Sequence, residues 1–241
     1  MSQVPLWPRP RYRPSGRRAE VYLFAFADEP LSLEAELDPE EHGAPSTEAL
    51  EAVRTALRTR AADPDWFDGL RAIAAPDRPS TAAVESSSVV YRIDSTAEDP
   101  RDLRHLQSAW AVARWLCAAG CTAVLDGGPI EWHAGADLLS LSPDRPFDLW
   151  REIRIVFEIE PSRGVGHVLH TRGMLKFARP DLLTIVPEFD RDRAVNLIRA
   201  LAQAQALGHT LPLARASRWS AGWAEAGSSP TFPTRTRPRS T

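Results

Sequence analysis

An α+β fold is what this sequence predicts: a mixed β-sheet of about six strands with three main helices, in a single domain spanning residues 19–210 of 241. Three observations carry the prediction. Short runs rich in Val, Ile, Tyr and Phe alternate with longer runs whose apolar residues recur every three to four positions. Gly, Pro and Asp punctuate the boundaries between them. The composition, 43% apolar and 25% charged, suits a chain that fills a core.

The elements follow in chain order. Residues 1–18 hold Pro5, Pro8, Pro10, Pro14 and five Arg, and read as a flexible basic arm. Ala19 to Ala27 (AEVYLFAFA) is the first strand, apolar on both faces and therefore central. Asp28 to Glu41 carries seven acids and no base, an exposed loop. Ser46 or Thr47 caps a helix with Leu50, Val53 and Leu57 on one face, ending near Ala62 before Asp63-Pro64. Trp66 to Ala75 suits a short helix closed by Pro76 and Pro79, and Ser88 to Ser95 a second strand. Asp99-Pro100 opens a helix in which Leu103, Leu106, Trp110, Ala113 and Cys117 share a face, with Gly120 as its left-handed cap. Thr122 to Asp126 is a third strand, stopped by Gly127-Gly128-Pro129. Strand, helix, strand in this order predicts a crossover between parallel strands.

Glu152 to Glu160 alternates apolar Ile153, Ile155, Phe157 and Ile159 with polar neighbours, a half-buried strand. Ser162-Arg163-Gly164 turns it into a hairpin partner from Gly166 to Thr171, and Leu182 to Val186 adds a further strand. Asp190 opens the last helix, with Ala194, Leu197, Ile198, Leu201 and Leu207, closed by Gly208. Residues 211–241, rich in Ser, Pro, Thr and Arg, read as a disordered basic tail.

Charge is unevenly spread. Residues 1–19 hold five Arg and no acid, and residues 212–241 five Arg against Glu225, so a chain total of −3 leaves −12 for the body between them. That body is a poor match for nucleic acid, whose binding rests on cations, although the tails suit acidic partners. Lys176 is the single lysine beside 28 Arg, a bias resembling that of GC-rich bacterial genomes. Where Arg serves every ordinary surface role, a lone Lys points to a site needing a compact ammonium. Cys117 and Cys121 are too few for a disulfide framework, and no run reaches the roughly 18 uncharged apolar residues of a membrane span. A cytoplasmic location is expected, with no cofactor and no metal.

No dinucleotide, phosphate-loop, nucleophile-elbow or zincin motif is present in the sequence. Asp126, Glu131, His133 and Asp137 cluster after the third strand, carboxylates beside an imidazole that suit proton transfer or a metal. The alternative is that Asp126 caps the glycine turn and the others are solvated. His167 and His170, in a strand, point to opposite faces and share no metal. Trp110, Trp115, Trp132 and Trp150 suit a stacking platform or, for Trp110, the core. Arg172, Lys176 and Arg179, around Gly173, Met174 and Phe177, form a candidate anion site or pair with the domain's own acids.

The stretch Thr171 to Asp181 (TRGMLKFARPD) resembles bacterial proteins of the domain-of-unknown-function family 4261, in which Thr-x-Gly-(Met/Leu)-x-x-Phe-x-Arg-Pro-(Asp/Glu) follows paired strands. The resemblance implies a related fold and lends no catalytic residue. The expected function is that of a non-catalytic binding or protein-interaction domain, its partner another protein with a basic surface. The rival is a small hydrolase or metal-dependent enzyme built on the loop after the third strand.

Overall fold

A computed structural model describes residues 4–33, 38–47, 51, 58–61, 79–159, 167–186 and 190–211. The α+β class holds, but the strands form two sheets in place of one mixed sheet, and every described ladder is antiparallel. In chain order the elements are β1 (Arg18–Ala27), α1 (Pro39–His42), β2 (Arg58–Ala61), α2 (Pro79–Ser86), β3 (Val89–Glu98), α3 (Arg104–Ala118), β4 (Ala123–Asp126), β5 (Glu131–Ala134), α4 (Gly135–Ser140), β6 (Arg154–Ile159), β7 (His167–Arg172), β8 (Leu183–Val186) and α5 (Arg191–Ala206). Short 3-10 turns lie at Leu149–Arg151 and Met174–Phe177.

The first sheet runs β2-β3-β1-β4-β5. β1 is central, as its two apolar faces require. Val21, Leu23 and Ala25 pack with α3, while Phe26 meets Val84 of α2 on the other side. Since β3 and β4 both run antiparallel to β1, they run parallel to each other, and α3 is the connection between them. The predicted crossover is therefore present, with β1 inserted between the strands it joins. Leu103, Leu106, Trp110, Ala113 and Cys117 are all buried. Each large apolar side chain among them contributes about 1.5–3 kcal/mol. Gly120 ends the helix at φ +127°. The second sheet, β6-β7-β8, lays Leu169, Ile155 and Phe157 against Ala194 and Ile198 of α5.

Two local expectations change. Residues 58–61 pair with β3 as an edge strand, so a helix reaching Ala62 is ruled out there. The helix predicted at Trp66 to Ala75 lies outside the described residues. Glu131–Ala134, expected as loop, pairs with β4 as β5. Among the described residues no helix is long and apolar enough to cross a membrane.

The N-terminal segment is not a free arm over the residues described. Trp7 is buried, and its indole N–H donates to the Arg145 carbonyl. The buried Arg9 guanidinium donates to the carbonyls of Pro100, Ala206, Phe177 and Gln205 at 2.7–3.2 Å. Two of those carbonyls close α5, where an aligned helix end favours a cation. Burial lowers the Arg9 pKa to about 10. The compact unit Met1–Thr210 therefore includes the arm's five Arg, and its formal charge is −7, not the −12 of the body alone.

Candidate functional site

The lone lysine sits in the middle of the protein. Lys176 is 1% exposed, between Asp126 at 0% and Glu152 at 1%. Its ammonium donates to Asp126 Oδ2 and, at 3.0 Å, to Glu152 Oε2. Glu152 Oε2 also accepts from the Trp110 indole N–H at 3.0 Å, and the ammonium lies 5.6 Å from the centre of that ring. Asp126 Oδ1 accepts from the Gly128 backbone N–H at 3.2 Å, so Asp126 does cap the glycine turn. His105 Nε2 approaches the Lys176 carbonyl at 2.9 Å, which fixes that nitrogen as the donor.

Backbone shape delivers these groups. Asp126 closes β4, Glu152 ends the 3-10 turn before β6, and Lys176 lies in the turn after β7. Gly173 starts that turn at φ +106°, and a Cβ there would stand 2.7 Å from the Glu152 carbonyl oxygen. Only glycine combines that dihedral with that approach. Thr171 Oγ1 donates to Asp181 Oδ1 and accepts from Leu182 N, while Met174 N also donates to Asp181 Oδ1. Arg179 donates to the carbonyls of Arg13, Ala178, Gly208 and His209. The residues of the Thr171 to Asp181 motif thus shape the turn, fill the core through Met174 and Phe177, or hold the cluster.

Electrostatics follow from burial. Two buried carboxylates face one buried ammonium, and desolvation, reinforced by Glu152, pushes the Asp126 carboxyl up to about 6 against the pull of Lys176. Burial opposes the charge on Lys176, but the two carboxylates outweigh it and hold the ammonium above its ordinary range. Burial drives His105 down to about 4. It also lowers His133, whose ring stands edge-on to Trp110 at 5.2 Å.

The sequence candidates therefore separate. Asp126 and Lys176 meet directly, and His133 borders them through Trp110. Glu131 lies at the rim, 3.6 Å from Arg154, and Asp137 is exposed on α4. Arg179 is consumed by backbone carbonyls, and Arg172 stands on the far face of the second sheet, so the three cations form no common anion site. His170 pairs with Glu158 at 3.1 Å while His167 lies against Phe157, on opposite faces as the strand period requires. Trp110 and Trp115 are core, Trp132 packs on Phe26, and Trp150 is exposed under Arg199, so the four indoles make no platform. Cys117 and Cys121 are free and buried, and burial pushes the Cys117 thiol up to about 12.

Glu152 escaped the sequence reading. The apparent alternation placed it in the polar row of a strand, yet the strand begins at Arg154, and the preceding 3-10 turn aims Glu152 inward. The side chains of Asp126, Glu152 and Lys176 are at most 2% exposed. With both carboxylates engaged and all three side chains buried, the arrangement ties β4 to the two turns flanking β6 and β7, a use of buried charge that fixes which segments meet. Comparison with known proteins gives no match: no protein family, curated protein or solved structure is significantly similar to this chain.

Proposed function

We propose that this chain is a cytoplasmic, non-catalytic protein-interaction domain that docks through the outer face of β6-β7-β8. The observation that carries the reading is the row of apolar side chains on that face. Leu183 and Ile185 are 67% and 53% exposed, beside half-buried Val156 and Val168 in the register Val156–His170–Leu183 and Glu158–Val168–Ile185. Contiguous exposed apolar surface of this kind marks sites of association. The sealed state of the Asp126–Lys176–Glu152 cluster supports the same reading, because a reacting group must be reached by its substrate. The net negative charge of the compact unit favours approach by a partner of positive net charge.

The test is a photo-crosslinking amino acid placed at position 185 in the full chain, expressed in cells. Discrete protein adducts are expected, and they should vanish when Leu183→Asp is added. Adducts indifferent to Leu183→Asp contradict the docking face. Turnover in a hydrolase screen, lost on substituting Glu131 or His133 with the fold intact, replaces the reading with an enzymatic one.

A further inference from the structure

Resting on that docking reading, we infer that the face recognises a partner segment carrying a carboxylate side chain flanked by aliphatic residues, with Arg172 as the anion's anchor. Arg154 and Arg172 are direct cross-strand partners on β6 and β7. Like charges in this position repel, and the arrangement asks for counter-charge between them. Glu131 supplies it to Arg154 at 3.6 Å. The Arg172 side chain has no hydrogen bond or ion pair among the described residues, while Glu158 in the same groove is engaged by His170.

Arg172 also stands where two grooves meet. One, of about 450 Å³, joins Val168, Leu182 and Leu183 to Glu158, which His170 engages, and Asp181, which accepts from Thr171 and Met174; the other, of about 380 Å³, is lined by Pro129, Ile130 and Val156. The half-buried Arg172 therefore has aliphatic neighbours in both grooves, and the acids of the first groove are already engaged. A guanidinium presents parallel N–H donors that match a carboxylate, and its strength grows where neighbouring apolar contacts exclude water. An acidic residue with aliphatic neighbours, held in an extended partner segment, places its carboxylate on Arg172 and its apolar side chains on Leu183 and Val168.

The experiment pans a displayed random heptapeptide library on the immobilised full chain, then measures one enriched peptide in its acid form and its Glu→Gln or Asp→Asn form. Enriched peptides should carry an acid beside aliphatic residues. Affinity should fall by roughly tenfold or more on Arg172→Gln, and likewise for the amide form of the peptide. Peptides whose binding needs Leu183 but ignores Arg172→Gln overturn the carboxylate inference and leave the docking face standing. Binding that ignores Leu183→Asp, or no enrichment at all, overturns both.

Discussion

Replacing Lys176 by Met isolates the buried cluster, because Met fills a similar volume and deletes only the charge. The wild-type ammonium contacts Asp126 and Glu152, each at most 1% exposed. Its loss leaves two carboxylates facing each other without a cation, and breaking a buried pair in this way costs about 3–5 kcal/mol. That is a large part of the 5–15 kcal/mol typical of a whole domain. With a urea slope of about 2 kcal/mol/M, the unfolding midpoint should fall by roughly 1.5–2.5 M, followed by tryptophan fluorescence. The triple variant Asp126→Asn, Glu152→Gln, Lys176→Met removes every charge together and should be more stable than Lys176→Met alone. A midpoint shift below about 0.5 M for the single variant, at unchanged slope, refutes the assignment of the cluster as a structural tie.

Two further predictions follow from the same interior. Asp126 titrates at about 6 against an ordinary 3.8, so its contribution to stability is present at low pH and lost as pH rises through 6. His105 titrates at about 4 against 6.5, so its contribution is present above 6.5 and lost as pH falls through 4. Each is worth about 3 kcal/mol and they oppose each other between pH 4 and 6. Relative to wild type, Asp126→Asn should therefore gain stability with rising pH across that window, and His105→Gln should lose it. Parallel pH profiles for wild type and variants contradict the two assignments. Arg9→Met leaves four buried carbonyls without their donor and should cost about 3 kcal/mol or more, as should deleting residues 1–13. An unchanged melting temperature in either case returns the segment to a detachable arm.

Much of the framework was legible because it rests on local periodicity. The apolar run of β1, the helical spacing from Leu103 to Cys117, Gly120 and the hairpin of β6 with β7 each announce themselves within a few residues. What the sequence concealed depends on distant contacts. β2 (RTRA) has no strand-like composition and is extended because β3 offers it a ladder. The Pro/Arg segment reads as solvated until the C-terminus of α5 presents carbonyls to Arg9, 197 residues away from Ala206. The sparseness of lysine pointed to Lys176, whose ammonium lies buried between Asp126 and Glu152. Its partner Glu152 was hidden because the strand begins two residues later than its alternation suggests, and the 3-10 turn that precedes it does not follow the strand's period of two.

Lys176 is the chain's single lysine, so one chemical probe reads the central claim directly. An amine-acylating reagent applied to the native protein, with modified sites mapped by mass spectrometry, should label the N-terminal amine and spare Lys176 until the protein is unfolded in urea. Acylation of Lys176 in the native state, at the rate of an exposed amine, contradicts a sealed structural cluster and makes it an open site.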